Sequence, residues 1–230
     1  MTEQEFFDDC FIACYIHSAK EYCDEAFFKN LFESNIGNTT VSVVDNSIGL
    51  DYFNRLNNII YPYHKNTMLA RIDVRRDDPR HQFLINVTES VTELRKQFLA
   101  TNKKYFIILE TDVFPRDKNW LLHFSEVIDK AEMIGGLYYV GFHGQELWDK
   151  EAELVYTVGM LSGCTLYKRA VIEKFPFRWS MENEGAFPDA WISHDSNCDT
   201  ERSWPKVLYT KIKCDHKHDE RGSRGHDKIN

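Results

Sequence analysis

One apolar run in the middle of the chain restricts the possible folds more than any other segment. Five consecutive apolar residues, Tyr105–Leu109, are followed at once by Glu110 and Asp112. Unbroken runs of this kind, rich in β-branched and aromatic residues, are typical of strands buried on both faces, as in the parallel sheets of α/β proteins. The run therefore predicts a central sheet covered by helices.

The two acids after this run lie where open α/β sheets bind ligands, at the carboxyl end of a strand. If the strand continues through them, Glu110 and Asp112 point to the same side, because side chains two residues apart in a strand share a face. Two carboxylates on one side suit Mg2+ or Mn2+, and such a metal suits a phosphate-bearing substrate. The same residues are equally typical of a solvated strand end or a helix cap.

The size and charge of the chain limit the classes of protein to which it can belong. Its 230 residues, 43% of them apolar, predict one globular domain with a substantial core. The net charge of -8 argues against non-specific binding to nucleic acid or to an anionic membrane, although it is compatible with a local basic patch. No apolar run is long enough to span a membrane, and the first five residues are acidic where a signal peptide would be basic. We therefore expect a cytoplasmic protein whose six cysteines are free thiols.

The first part of the chain has the spacing of a strand–helix–strand unit. Cys10–Ile16 predicts a strand, residues 19–34 a helix, and residues 40–44 a second strand parallel to the first. Asp45 then lies at the carboxyl end of the second strand, where it either accepts hydrogen bonds from a base or ribose or only closes an Asx turn. Neither a GxGxxG motif nor a P-loop follows the first strand, so the sequence does not support a dinucleotide-binding fold or a P-loop NTPase.

Further elements are predicted in the second part of the chain. Residues 120–132 have the pattern of an amphipathic helix, which Gly135 and Gly136 would close, and residues 137–141 predict the next strand. The small pair Ser162–Gly163 permits close approach of the backbone to a ligand, and is also typical of a tight turn or a closely packed strand.

Two stretches of the first part match the motifs of a known family. Residues 43–47 read VVDNS at the end of the second strand, and residues 109–112 read LETD at the end of the central run. These stretches resemble the "VVDNSS" strand and the "LDxD" stretch, which carries the DXD motif, of GT-A-fold nucleotide-sugar glycosyltransferases, most closely the family-2 type group. The resemblance implies that Asp45 holds the nucleoside and Asp112 binds a divalent metal. Glu110, where the family usually has Asp, would assist directly or through water.

A later stretch, residues 187–198, resembles the family's "xxEDxxFC" segment. In that register Asp195 takes the place of the Asp, and His194 replaces the Glu. The resemblance implies that Asp195 is the general base that removes the proton of the acceptor hydroxyl in inverting members, a role that requires a carboxylate within hydrogen-bond reach. Asp189 is the alternative base, and a helix N-cap is the purely structural alternative for Asp195.

The last match is residues 207–216, which resemble the family's closing strand of the type "VDTxVxCxH". The resemblance implies that His216 is the distant metal ligand, with His218 as its near competitor, and imidazole suits Mn2+ better than Mg2+. A different interpretation is a zinc site of Cys198, Cys214, His216 and His218, although the sequence has no CxxC pair there.

Together these motifs imply an α/β protein of the GT-A type, with a mostly parallel central sheet flanked by helices. A single domain would cover residues 1–230, with a nucleotide-binding half at about 1–115, an acceptor half at about 116–216 and a flexible tail at 217–230. The implied function is the Mn2+- or Mg2+-dependent transfer of a sugar, with inversion, from a UDP- or GDP-sugar to the hydroxyl of an undetermined acceptor. The alternatives are a sugar-phosphate nucleotidyltransferase and a non-catalytic nucleotide-sugar or glycan-binding module with a degenerate site, which Glu110 and His194 favour.

Overall fold

A computed structural model describes residues 1–63, 66–74, 81–138, 140–180 and 187–217. The strands are β1 (Cys10–Ile16), β2 (Thr40–Asp45), β3 (Thr67–Arg71), β4 (Tyr105–Leu109), β5 (Val113–Pro115), β6 (Met133–Leu137), β7 (Leu154–Tyr156), β8 (Cys164–Lys168) and β9 (Lys206–His216). The helices are α1 (Glu3–Asp9), α2 (Asp24–Glu33), α3 (Asp51–Ile60), α4 (Gln82–Leu99), α5 (Trp120–Glu126), α6 (Val140–Trp148), α7 (Arg169–Lys174) and α8 (Pro188–Cys198), with one turn of 3-10 helix at Ser18–Lys20.

The strands of the described residues form one sheet in the order β3-β2-β1-β4-β8-β6-β9-β5, and β7 pairs with β9. Its first half is parallel, because β1 pairs in parallel with both β2 and β4, and β2 with β3. The predicted strand–helix–strand unit is therefore confirmed. Since parallel strands end at the same edge of a sheet, the ends of β1, β2 and β4 lie side by side.

The second half of the sheet is mixed. Strand β8 runs antiparallel to its two neighbours, β4 and β6, whereas β6 and β9 are parallel. Because Cys164 at the start of β8 pairs with Leu109 at the end of β4, the residues that precede β8 reach the edge where β4 ends. The backbone N–H of Glu110 there donates to the carbonyl of Gly163 at 3.0 Å.

Both faces of the central strands are buried, as the apolar runs predicted. Ile12 and Cys14 of β1 pack into the core on one face of the sheet, whereas Phe11 and Ala13 pack into the core on the other. Helix α2 covers the first face with Phe27, Phe28 and Leu31, and helix α4 covers the second with Val87, Val91, Leu94 and Phe98. The predicted α/β fold with a helix-covered central sheet is confirmed.

Several predicted elements differ from those observed. The strand expected over residues 137–141 was wrong, because β6 ends at the first residue of that range and helix α6 follows. The helix expected over residues 19–34 is split into a 3-10 turn and α2. The glycines expected to close a helix, Gly135 and Gly136, lie inside β6 instead, so that prediction was wrong. Close packing explains their place, because a Cβ atom at Gly136 would lie 2.6 Å from the Ile212 side chain.

Two further predictions concern the oxidation state of the cysteines and the presence of membrane-spanning helices. All six cysteines are free thiols, as expected, and Cys198 alone among them is exposed. A search of the described residues finds no helix that is long and apolar enough to cross a membrane.

Candidate active site

The acidic stretch after β4 forms a turn. The strand ends at Leu109, and the N–H of Val113 donates to the carbonyl of Glu110 at 2.9 Å. Because the strand ends before them, Glu110 and Asp112 do not share one face of a strand. Each carboxylate has its own set of partners instead.

Two hydroxyl groups from distant parts of the chain hold Glu110. The Tyr15 hydroxyl, at the end of β1, and the Ser162 hydroxyl, just before β8, each donate to Oε1 of Glu110 at 2.7 Å. Burial, and next the charge of Glu110, raise the pKa of Tyr15 well above its ordinary value. The Tyr15 hydroxyl therefore stays protonated at neutral pH and remains a hydrogen-bond donor.

Asp112 lies between a cation and an imidazole. Nζ of Lys20, in the 3-10 turn after β1, is 2.8 Å from Oδ1 of Asp112, and Nε2 of His216 is 3.6 Å from Oδ2. The Asp112 side chain is only 11% exposed. Burial by itself would raise the pKa of Asp112, but the Lys20 ammonium and His216 outweigh it and hold that pKa well below the usual range.

The arrangement around Asp112 fits a divalent metal poorly. A metal ion on Asp112 would lie beside the Lys20 ammonium, and the two positive charges would repel each other. One oxygen of the second predicted ligand, Glu110, already accepts two hydroxyl hydrogen bonds. Within the described ranges, no three side chains of His, Cys, Asp or Glu are grouped as a metal site. The metal-binding role of Asp112, Glu110 and His216 stays a prediction, and His218 lies outside the described residues.

The alternative zinc site is not assembled by those of its residues that the structure describes. Cys214 is fully buried in β9, within the core. Cys198 is exposed at the end of α8, where its Sγ lies 3.7 Å from Nε2 of His194. No grouping of these thiols with His216 is present in the described part of the chain.

Asp189, the alternative base, belongs to the same cluster as Glu110. It lies in the first turn of α8, where its Oδ2 accepts a hydrogen bond from the N–H of Ser162 at 2.9 Å. Since the Ser162 hydroxyl donates to Glu110, Ser162 connects the two acids directly. Burial, with a smaller contribution from Glu110, raises the pKa of Asp189 to about 6.

Asp195 has a different environment. Arg178 binds it with two hydrogen bonds, Nε to Oδ2 at 3.0 Å and Nη2 to Oδ1 at 2.6 Å. The same guanidinium lies 3.8 Å from the centre of the Trp191 ring. Hydrogen bonding from Arg178 lowers the pKa of Asp195. Six residues of helix separate Asp195 from Asp189, an axial rise of about 9 Å.

Asp45 closes the Asx turn that the sequence left open as one alternative, and its role in binding a nucleoside stays a prediction. Its Oδ1 accepts a hydrogen bond from the N–H of Ser47 at 2.9 Å, which is an Asx turn. Its Oδ2 is buried without a hydrogen-bond partner among the described residues. Asp45 is opposite Ile16 in the parallel pairing of β2 with β1, so it lies at the same edge as the residues around Glu110. A buried acceptor without a donor is costly, and a ligand N–H or hydroxyl would satisfy it.

Sequence reasoning missed Tyr15 and Lys20 as members of this site. It singled out Ser162 for close approach of the backbone to a ligand, and missed the hydrogen bond from its hydroxyl to Glu110. Tyr15 and Lys20 are more than 90 residues from the acids that they bind, and no local pattern relates such positions. One signal was available for Lys20: it lies in the loop after the first strand, which ends at the ligand-binding edge of a parallel sheet.

Comparisons with known proteins support the fold. No family model matches the sequence, and no curated protein does. Among solved structures, S. aureus TarS 1-349 matches with a TM-score of 0.65 and 13% identity over 91% of this chain and 60% of its own. The mannosyltransferase PcManGT from Pyrobaculum calidifontis, in complex with GDP-Man and Mn2+, matches with a TM-score of 0.63 and 13% identity over 93% of this chain and 58% of its own.

TarS 1-349 has also been solved with UDP-GlcNAc, and this complex matches with a TM-score of 0.57 and 13% identity over 86% of this chain and 58% of its own. The chain thus spans about 60% of the length of these solved chains and 37% of a longer TarS structure that it also matches. A likeness at this level of identity concerns the fold, and it confirms the predicted GT-A type of architecture.

Proposed function

We propose that this protein is a glycosyltransferase that moves a sugar from a nucleoside-diphosphate sugar to an acceptor hydroxyl. The observation that carries the proposal is the hydrogen-bonded cluster at the end of β4, in which Ser162 connects Glu110 with the buried acid Asp189. The cluster lies beside the charged group of Lys20 and Asp112, on a GT-A fold. Buried acids with a shifted pKa in such a place are typical of active sites.

The nucleoside of the donor is assigned to the edge formed by β1 and β2. The buried Oδ2 of Asp45 has unused capacity to accept a hydrogen bond, which suits a ribose hydroxyl or a base N–H. PcManGT binds GDP-Man and TarS binds UDP-GlcNAc, so both UDP- and GDP-sugars are candidates for the donor of this chain.

The general base of the proposed transfer is Asp189 rather than Asp195. The acceptor oxygen attacks the anomeric carbon as its proton passes to the carboxylate of Asp189, and the electrons of the breaking bond stay on the oxygen of the departing diphosphate. A carboxyl group with a pKa of about 6 is largely ionised at pH 7 and is a stronger base than an ordinary aspartate. One direct displacement of this kind inverts the anomeric centre. Asp195 is committed to Arg178 instead.

The proposal of a divalent metal has less support than the proposal of a nucleotide-sugar donor. PcManGT was solved with Mn2+, and Asp112 with His216 would be its ligands here. Because Lys20 already neutralises Asp112, no step of the transfer is assigned to a metal. The leaving diphosphate is expected to face the Lys20 ammonium, which would stabilise it.

The nucleotidyltransferase alternative lacks its expected loop. Such enzymes need a glycine-rich, basic loop after the first strand, whereas β1 is followed by His17 and the 3-10 turn Ser18–Lys20, which contain no glycine. A non-catalytic binding module would bind a nucleotide sugar without turning it over, and only a measurement of transfer distinguishes it from an enzyme.

A panel of ligands tests the proposed function. The full chain is mixed separately with UDP, GDP, UDP-sugars, GDP-sugars and nucleoside triphosphates, and thermal stabilisation and release of nucleoside diphosphate are measured. We expect stabilisation by UDP or GDP and slow hydrolysis of the matching sugar donor. A response to triphosphates together with sugar phosphates would favour the nucleotidyltransferase, and binding without any hydrolysis or transfer would favour the binding module.

A further inference from the structure

We propose that the Lys20 ammonium, rather than a divalent metal, supplies the fixed positive charge that binds and stabilises the diphosphate of the donor. The role given to Lys20 rests on the proposed function, because it concerns the leaving group of that reaction. It differs from the metal dependence that the family resemblance implies.

The contacts of Lys20 place a cation where the family motif would place a metal. Its Nζ is 2.8 Å from Oδ1 of Asp112, the acid that corresponds to the metal-binding position of the motif. The Lys20 side chain is 19% exposed, so its charge is largely shielded from water. A shielded charge interacts more strongly with a bound anion than one in bulk solvent does.

The backbone around Lys20 is fixed at several points. The N–H of Ser18 donates to the Ser47 hydroxyl at 2.7 Å, which ties the 3-10 turn to the end of β2. The Cys23 thiol donates to the carbonyls of Lys20 and Thr111, each at 3.3 Å, which ties the turn to the residue before Asp112. A cation on a fixed backbone needs little reorganisation when charge develops on the leaving group.

The charges of the neighbouring acids keep Lys20 protonated. A lysine is ordinarily protonated at neutral pH, and the carboxylate of Asp112, 2.8 Å from Nζ, further favours its charged form. The lysine therefore remains an ammonium throughout the reaction. It stabilises the oxygen that receives the electrons of the broken sugar–phosphate bond, without transferring a proton itself.

The residues that would complete a metal site are already engaged. Glu110 accepts from Tyr15 and Ser162, so its Oε1 is turned toward these hydroxyls. The Lys20 ammonium neutralises Asp112 and would repel a divalent cation there. The inference therefore predicts that removing the ammonium exposes a latent Mn2+ site at Asp112 and His216.

The first experiment measures the binding of Mn2+ alone. The full chain is titrated with Mn2+, and the free ion is followed by its EPR signal in the wild type, in Lys20→Met and in Lys29→Met. Lys29 is a control on α2, 64% exposed, whose Nζ pairs with Glu33 rather than with Asp112. We expect Lys20→Met to bind Mn2+ roughly tenfold or more tightly than the wild type, the size of effect that a neighbouring charge has on a carboxylate equilibrium.

Two further variants keep this experiment decisive. Lys20→Arg retains the positive charge and should keep the weak Mn2+ binding of the wild type, whereas the double variant K20M/D112N should lose the site that Lys20→Met gained. Circular dichroism confirms that each variant is folded. Equal Mn2+ affinity in the wild type and in Lys20→Met would overturn the exclusion of metal by Lys20.

The second experiment measures the binding of UDP and GDP by calorimetry, once in EDTA and once in Mn2+. We expect the wild type to bind one of them in EDTA, and Lys20→Met to bind it roughly 10- to 100-fold more weakly, the value of one charge-assisted hydrogen bond. Addition of Mn2+ should restore part of the lost affinity in Lys20→Met and should leave the affinity of the wild type unchanged.

The outcomes separate the role of Lys20 from the proposed function. A wild-type protein that binds a nucleoside diphosphate only with Mn2+ would overturn the role of Lys20 and leave the glycosyltransferase proposal in place. A wild-type protein that binds neither UDP nor GDP, with or without Mn2+, would overturn the proposed function itself.

Discussion

The first and last turns of helix α8 carry two aspartates with opposite environments. Asp189 is nine-tenths buried, forms no ion pair among the described residues, and has a pKa raised to about 6. Asp195 forms a bidentate ion pair with Arg178, and its pKa is lowered. The difference shows that the surroundings of each carboxyl group, rather than its place on the same helix, decide the direction in which its pKa shifts.

The largest expected effect is on the rate of transfer. We expect Asp189→Asn to slow sugar transfer by roughly 1,000-fold, within the range that general base catalysis contributes. The amide has the same shape but accepts no proton. Initial rates with the donor identified by the ligand panel measure the effect, and Asp195→Asn is the matched control on the same helix. Loss of transfer in Asp195→Asn with normal rates in Asp189→Asn would reverse the comparison.

The same substitution should stabilise the fold. Because the pKa of Asp189 in the folded protein, about 6, is above the ordinary 3.8, the folded state favours the protonated acid. Ionisation therefore costs stability as the pH rises through this interval, and the full cost is present above pH 6. We expect Asp189→Asn to raise the free energy of unfolding by about 1–3 kcal/mol at pH 8 and by less at pH 5, measured by urea unfolding. Equal changes at both pH values would contradict a buried charge at Asp189.

The pH dependence of the wild type provides a third test. If Asp189 must be ionised to accept a proton, kcat/KM should fall with decreasing pH below about 6 and be roughly tenfold lower at pH 5 than at pH 8. Circular dichroism at each pH checks that the protein stays folded. A rate that is unchanged down to pH 5 would point to a base with an ordinary or lowered pKa, as Asp195 has.

The smallest effect is expected at the other end of the helix. We expect Asp195→Asn to lower the free energy of unfolding by about 1 kcal/mol or less, because both partners of the ion pair are partly exposed and solvent screens it. The rate of transfer should change by less than about threefold. Since the pKa of Asp195 is lowered, its contribution is present at neutral pH and is lost as the pH falls below the ordinary value for an aspartate. Chemical unfolding at pH 7 and pH 3 measures the loss of stability and its pH dependence, and initial rates measure the effect on transfer.

Much of the sheet could be predicted because its central strands are buried on both faces. Strands β1, β2 and β4 appear in the sequence as short apolar runs, and the spacing between the first two predicted their parallel pairing. The position of β8 between β4 and β6 has no such local signal. Its antiparallel pairing depends on which strand packs best beside β4, and that is decided by contacts about 60 residues apart in the chain.

The candidate site could be predicted in part for the same reason. Asp45, Glu110 and Asp112 were found because each follows a predicted strand, and strand ends meet at the ligand-binding edge. The base was assigned to Asp195 by a motif register, whereas the structure brings Asp189 to Ser162 and Glu110. Six residues are about 1.7 turns of helix, so the two acids project from different sides of α8, and the sequence alone does not show which side faces the ends of the strands.

The sequence by itself determined the helix-covered sheet and the edge at which its acids collect, because burial of apolar runs and the ends of parallel strands are properties of local pattern. Only the tertiary structure decided which groups surround each acid. Lys20, Tyr15 and Ser162 approach the acids from distant parts of the chain. Because the pKa of a carboxyl group is set by burial and by charges a few ångströms away, residues remote in sequence determine the protonation of Asp112 and Asp189.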